Sequence, residues 1–269
     1  MRTFRLYWRL LTLFWQEAFQ YRGESFIWFL FDVLPPLVMV ILWRAAYEDT
    51  PQIGGYTPSQ MMLYYVGLTT LQTLLTSHPE WDISYEIRMG EFSRHLLRPL
   101  RFNTYHVIGE IAWKGLRCLF ITPVLIGALL WLGTEIFSAI TLKAVILLYF
   151  LASLVMSYIL AYFLKVSLGL TAFWVMESYG IIILFDFLRT FFAGVVIPLD
   201  MMPPVIRTMG DRLPFAYLYF FPLSIIQGKI EDGAIVRGLF IQAGWCMVSY
   251  FLMKTMYLLG VRKYSAVGG

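Results

Sequence analysis

Apolar residues fill this chain in long blocks, and most polar residues are collected between them. Runs at 26–47, 59–78, 107–132, 139–164, 168–194 and 235–259 each match the ~20 mainly apolar residues that a helix needs to cross a bilayer core of about 30 Å. They predict six membrane-spanning helices. The first 20 residues follow a different pattern: Phe4, Tyr7, Trp8, Leu11, Phe14, Trp15 and Ala18 share one helical face, and Arg5, Arg9, Thr12, Gln16 and Gln20 another. This spacing predicts an amphipathic helix in the membrane interface, with aromatic rings at headgroup depth and arginines facing anionic lipid. Glu17 and Gln20 interrupt its apolar content and no small-residue cleavage pattern follows, so it does not read as a signal peptide. The stretch 213–227, LPFAYLYFFPLSIIQ, is apolar but only 15 residues long and contains Pro222. It is expected to be a re-entrant outer element before the sixth crossing.

Composition sharpens this picture. Of 269 residues, 59% are hydrophobic and 14% charged, whereas a soluble domain is about 25% charged. The predicted fold is therefore an all-α membrane protein with one transmembrane domain over 1–269. The net charge of +4 is modest and its basic residues are interspersed with the apolar runs. That distribution reads as an orientation signal and not as a nucleic-acid surface. Arg2, Arg5, Arg9 and Arg22 precede the first run, Arg88, Arg94, Arg98 and Arg101 follow the second, Lys165 is assigned to the link after the fourth, and Lys254, Arg262 and Lys263 close the chain. With six crossings these fall on one side. Glu48, Asp49, Glu135, Asp200, Glu231 and Asp232 fall on the other. The bias predicts a multi-pass plasma-membrane protein, in the inner membrane of a Gram-negative cell, with both termini cytoplasmic. Lys114 and Arg117, near the start of the third run, are expected to snorkel toward headgroups. Cys118 and Cys246 lie inside apolar runs and read as buried thiols.

The segment 87–100, IRMGEFSRHLLRPL, concentrates charge in a chain that otherwise avoids it. As a helix it would place Met89, Phe92, Leu96 and Leu100 on one stripe, with Arg88, Glu91, Arg94 and Arg98 away from it. It is too charged to cross a membrane. On these residues alone it is either a basic loop that sets topology or a docking surface for a soluble partner. Within the fifth run, Glu177, Asp186 and Arg189 also need a purpose, because intramembrane charge is costly. Asp186 and Arg189 are three apart and can neutralise each other on one helix face, either as a structural pair or lining a substrate path. Glu177 is expected nearer the cytoplasm, within reach of Lys165.

Catalytic chemistry is missing from the pattern. No G-x-x-x-x-G-K-[ST] occurs, and Gly228-Lys229 is followed by Ile230. His78, His95 and His106 form no H-E-x-x-H or nucleophile constellation, and His78 beside Glu80 and Asp82 is too little for a metal site. The chain is expected to be no enzyme and to carry no metal or cofactor of its own.

The order Ile87, Arg88, Gly90, Phe92, Arg94, Leu96, Leu97, Arg98, Pro99 resembles the cytoplasmic Arg-x-Gly-x-Leu-x-x-x-Leu-Leu-x-Pro motif of permease subunits of ABC-2 type ABC transporters. Phe92 stands in place of a leucine. Phe173 and Trp174, then Gly194, Ile197, Pro198, Leu199, Pro203, Leu213, Pro214, Phe215, Pro222 and Gly228, follow the same branch's order further on. The resemblance implies that Arg88, Gly90, Glu91, Phe92, Arg94, Leu96, Leu97, Arg98 and Pro99 form a coupling helix between spans two and three, fitting a cleft on a cytoplasmic ATPase. It further implies pairing with a second permease copy or a homologue, contact with membrane lipid, and ATP with magnesium held by the partner ATPase. No outer domain large enough to receive a substrate-binding protein is evident, so export of a lipid-like, glycan or hydrophobic substrate is expected. The rival class is an ion- or proton-coupled secondary transporter or channel with Glu177, Asp186 and Arg189 as its relay. Such transporters typically show an inverted repeat with paired broken helices, and none is evident.

Overall fold

The computed structural model describes residues 2–75, 78–97, 101–141, 143–175 and 177–264. Among them regular structure is helical, apart from one isolated bridge between Ile53 and Tyr56. The helices are α1 (Arg2–Gln20), α2 (Arg22–Ala46), α3 (Pro58–Leu75), α4 (Pro79–Arg88), α5 (Ser93–Leu97), α6 (Phe102–Ala139), α7 (Ala144–Leu170), α8 (Tyr179–Phe192), α9 (Pro204–Arg212), α10 (Phe220–Ile226) and α11 (Asp232–Lys263). Short 3-10 turns lie at Thr171–Phe173, Leu199–Met201 and Pro214–Tyr217.

Four helices among the described residues, α2, α6, α7 and α11, are long and apolar enough to cross a membrane. Phe31 and Val38 of α2, Leu130 of α6, Leu148 of α7, and Phe240 and Phe251 of α11 are exposed. Such surfaces are unfavourable in water and well suited to acyl chains. The most extensive contact joins α7 to α11. Helix α3 lies between α2 and α6, α1 lies on α6, and α4 on α7.

The expected second crossing is α3, and it does not match the four in length and apolar content. Gln60, Thr69, Thr70, Gln72 and Thr73 dilute it. Yet Met61, Met62, Tyr64, Tyr65, Leu68, Leu71 and Leu75 are all buried, so α3 faces protein where a lipid-facing helix would face hydrocarbon. Its hydroxyls are satisfied locally: Thr69, Thr70 and Thr73 donate to the carbonyls of Tyr65, Val66 and Thr69 at 2.8, 2.8 and 2.9 Å. Eighteen residues rising about 1.5 Å each cover roughly 27 Å.

The expected fifth crossing, 168–194, is two elements. Helix α7 continues to Leu170, and the chain then turns so that Trp174 and Val175 N–H both donate to the Thr171 carbonyl, at 2.9 and 3.0 Å. Helix α8 starts only at Tyr179 and has 14 residues. Its apolar sequence is continuous with that of α7, which is why the turn was invisible to a hydropathy reading. Consequently Lys165 is not in a link; it lies within α7 and is 3% exposed.

The 213–227 stretch holds no crossing. It forms the 3-10 turn at Pro214–Tyr217 and then α10, and Phe215 through Tyr219 and Phe221 through Ile225 are buried against α3, α7 and α11. Irregular backbone enclosed by protein is the arrangement a bilayer interior demands. Its anchor is Gln242 of α11, fully buried. Gln242 Oε1 accepts from Ser153 Oγ, and its amide donates to the Ser153 carbonyl, Ser157 Oγ and the Tyr217 carbonyl, each at 3.0 Å.

The bundle has two ends. At one, Tyr56 OH donates to both oxygens of Asp200 at 2.9 and 3.1 Å, and Lys229 Nζ to one of them at 3.5 Å. Tyr64 and Tyr65 there donate to the carbonyls of Gly194 and Val196 at 2.6 and 2.7 Å. Gly194 has φ +76°, and a Cβ would strike the Tyr64 hydroxyl. At the other end α4, the starts of α5 and α6, and the last turns of α7 and α11 pack around Ile83, Phe92, Phe102, Leu170 and Phe173. Helix α3 begins beside the first end and leads to the second. Helix α8 starts at the second, where Ser178 Oγ meets Ser84 Oγ of α4, and finishes at the first.

Helix α1 divides its predicted stripe between two tasks. Phe14 packs edge-on against Tyr105 of α6, Trp15 lies over Gly115 where no Cβ fits, and Ala18 is buried. Phe4 and Trp8 remain 72% and 62% exposed and free for lipid. The network at Gln242 generates a first prediction. Gln242→Leu removes the acceptor of the Ser153 hydroxyl and the amide that donates to the Ser153 and Tyr217 carbonyls, leaving only the bond from Ser157 Oγ to Tyr217, and is expected to cost about 1–2 kcal/mol. The readout is a lowered unfolding temperature in detergent with the chain still inserted, and an unchanged temperature would contradict it.

Candidate functional site

The charged segment 87–100 is not one helix. Helix α4 ends at Arg88, Gly90 turns the chain with φ +76°, and α5 runs only from Ser93 to Leu97. Phe92 N–H donates to the Glu86 carbonyl at 2.9 Å, closing the turn over the end of α4. Phe92 is therefore not on a docking stripe. It is wholly buried, with its ring 5.0 Å from that of Phe173 and 5.4 Å from those of Phe102 and Tyr264. An aromatic ring where the motif has leucine fills this space between α6, α7 and α11.

The remaining segment residues fall into two groups. Arg88 lies 4.8 Å above the Tyr179 ring and donates to its hydroxyl at 3.3 Å, so it ties α4 to α8. Arg94 is paired with Glu91 on the surface, and such exposed pairs contribute little. Leu96 and Leu97 are 46% and 86% exposed, and Met89 60%. This small apolar tip projects from the end of the bundle. Arg98 and Pro99 lie outside the described residues.

What holds this end in place is a buried ion pair. Glu80, in the first turn of α4, and Lys165 of α7 are 1% and 3% exposed, and Lys165 Nζ donates to Glu80 Oε1 at 3.0 Å. His78 Nδ1 reaches the same oxygen at 3.3 Å. Burial alone would push the Glu80 carboxyl up, but Lys165 and His78 overcome this and hold it near 2. Gly169, one turn after Lys165, brings α7 against Ile83 and the Glu80 backbone.

Other charges inside the bundle are matched in the same way. Arg117 does not snorkel; it donates to Asp32 of α2 at 2.7 Å, and Lys114 donates to Glu110 at 3.0 Å. Arg189 donates to Asp186 at 3.1 Å and to the Tyr219 hydroxyl at 2.9 Å, linking α8 to the chain before α10. Glu177 is exposed in the turn before α8, and Lys165, its expected partner, is held by Glu80 instead. None of the interhelical pairs was foreseen. The available signals were solitary charges within apolar runs, Asp32, Arg117 and Lys165, which require a partner on another helix.

Two adjoining cavities open between α1, α2, α4 and α6. One, of about 340 Å³, is lined by Trp28, Trp113, His78, Lys114 and Arg117 among others; the second, of about 280 Å³, is acidic, with Glu17, Asp82, Glu86, Glu91 and Glu110. Asp82 is common to both. Partial desolvation there, and the neighbouring carboxylates of Glu86, Glu110, Glu80 and Glu17, push its carboxyl up to about 7. The fold also gathers Glu86, His95 and His106 at the edge of the second cavity, three residues far apart in any motif.

A bundle of apolar helices with Leu96 and Leu97 exposed at one end has the character of a membrane component. A family model described as ABC-2 family transporter protein matches residues 33–268. The chain belongs to this family. No curated protein and no solved structure matches it. Membership makes it a membrane transport component of the permease class and implies association with an ABC ATPase.

The ion pair of this ABC-2 chain yields two expectations. Lys165→Met leaves Glu80 buried with only His78 beside it and should destabilise by about 3–5 kcal/mol, whereas adding Glu80→Gln should restore much of the loss. Because the carboxyl of Glu80 is held below its free value of 4.5, its contribution is complete above that pH and lost as pH falls toward 2. Thermal unfolding of the four variants of the cycle, repeated across that window, checks both; equal losses in single and double variants would dismiss the pair.

Proposed function

We propose that the chain is the permease subunit of an ATP-driven exporter, acting as a pair of permeases on two copies of a cytoplasmic ATPase. Family membership supports the class. The observation that carries the coupling mechanism is the projecting tip: Leu96 and Leu97 are exposed at the end of an assembly that is otherwise locked to α6, α7, α8 and α11 through Phe92, the Glu80–Lys165 pair and Arg88. A segment so fixed moves as one body with the helices behind it. The leucines offer apolar anchors to an ATPase cleft, and Arg94 with Arg98 orients the encounter. Six crossings with both termini cytoplasmic follow if α3, enclosed by protein, and α8 traverse along with the four long helices. The same orientation puts the tip and most arginines inside the cell.

ATP and magnesium reside on the ATPase in this reading. ATP binding must favour one arrangement of the permease pair over the other for the cavity between them to change sides. The segment between α8 and α11 is folded into the bundle end, and the described residues there form no separate outer domain, which favours export. The substrate class is lipid-like, glycan or otherwise hydrophobic, in keeping with the apolar outer faces of the long helices. Asp186 and Arg189 serve as a structural pair: each is answered by the other, and Tyr219 takes a further guanidinium proton. This weakens the proton-relay alternative. The leading test is Leu96→Asp with Leu97→Asp, expected to lower transport per ATP hydrolysed by about tenfold, the effect of losing roughly 1.4 kcal/mol at an interface. The variant should still insert and unfold at the parental temperature. Undiminished coupling would reduce the segment to a topology signal.

A further inference from the structure

We propose that Glu86, His95 and His106 form a binding site for a divalent transition metal of the Zn²⁺ class, clamping the tip of the bundle to the start of α6. The three ligands come from three separate elements. Glu86 is on the last turn of α4, His95 is on α5 beyond the Gly90 turn, and His106 is in the first turns of α6. Their ligand atoms all lie within 4.8 Å of one another. Glu86 Oε2 is 2.9 Å from His95 Nε2 and 3.5 Å from His106 Nε2. Tetrahedral coordination with bonds of about 2.0–2.1 Å places ligand atoms about 3.3 Å apart, a spacing that the two carboxylate–imidazole distances bracket, while the two imidazole nitrogens, within 4.8 Å of each other, close on the ion by adjustment of their rings.

His106 points to a ligand independently. It is 7% exposed, and its Nε2 is buried without a hydrogen-bond partner among the described residues. That atom faces the shared carboxylate oxygen. A buried imidazole nitrogen left this way is costly, and a metal at the centre of the triad satisfies it. The chemistry of the set selects the ion: two imidazole nitrogens and one carboxylate oxygen suit Zn²⁺ and its transition-metal neighbours. Mg²⁺ and Ca²⁺ prefer oxygen-only shells. Access is provided as well. Glu86 and His106 line the acidic cavity, where Glu17 adds a further carboxylate that draws cations toward the open fourth position.

Occupancy would join α4, α5 and α6 across the tip, so metal binding would stiffen the segment proposed to meet the ATPase. Binding is measurable without any transport assay, which keeps this proposal separable from the coupling role. The chain is purified without a polyhistidine tag, stripped with chelator, and titrated with Zn²⁺ and Co²⁺. One equivalent per chain is expected, with the visible bands of four-coordinate Co²⁺ and a rise in unfolding temperature with Zn²⁺ but not Mg²⁺. His106→Gln and Glu86→Gln should each weaken Zn²⁺ binding by about 100-fold or more; His78→Gln should not. If the parent chain takes up no stoichiometric Zn²⁺ or Co²⁺, the triad is a hydrogen-bonded cluster and the proposal fails. Parental affinity in His106→Gln would equally overturn it. Should that variant not fold, the Co²⁺ spectrum of the parent decides, since an octahedral, oxygen-type spectrum excludes the site.

Discussion

A lysine inside an apolar helix bundle is tolerable only beside an anion, and the way Lys165 meets this requirement organises one whole end of the molecule. Its partner, Glu80, opens α4, so neutralising the charge also docks α4 on α7. From there the chain has little freedom. Arg88 stacks on Tyr179, Gly90 reverses direction, and Phe92 drops into the aromatic space between α6, α7 and α11. What remains outside is a short helix with an apolar tip. Removing the pair would therefore do more than lose one contact; it would loosen the tip from the helices behind it.

The same logic recurs where packing alone discriminates poorly. Lipid tails are as apolar as leucine, so hydrophobic area does little to choose one helix neighbour over another in a bilayer. Polar and charged contacts supply the choice here. Asp32 and Arg117 select α2 against α6, Gln242 selects the α10 region and α7 against α11, and Tyr64 and Tyr65 fasten α3 to the Gly194 turn. These contacts lie at different depths and on different helix pairs, so together they specify an arrangement that any one would leave open. Under the proposed transport cycle, such fixed internal contacts would leave motion to the outer surfaces of the bundle.

Much of the fold was legible from the linear pattern because hydrocarbon imposes a length and an apolarity that a sequence displays directly. Helices α2, α6 and α11 lie where the runs at 26–47, 107–132 and 235–259 predict, and the 213–227 stretch, too short and proline-bearing, is indeed no crossing. The misreadings share a physical cause. Hydropathy registers what a residue would do in lipid, and it does not show that α3 packs against protein on most of its surface. Nor does it register a turn made of apolar residues, so 168–194 read as one helix and Lys165 was displaced into a link. In the segment 87–100, helical periodicity groups Phe92 with Met89 and Leu96, which are exposed, whereas Phe92 itself is wholly buried. Tertiary burial, dictated by Gly90 and by the space left at Phe173, was beyond periodicity. His95, His106 and Glu86 are joined only by folding and carry no linear signature.

The central claim is that the tip at Leu96 and Leu97 is the face presented to the ATPase. A photo-crosslinking residue at Leu97, and separately at Val205, which is exposed on α9 at the opposite end, tests it in cells producing both subunits. The account predicts a covalent adduct with the ATPase from position 97 and none from 205. An adduct from 205, or none from 97 in a complex that still transports, would contradict it.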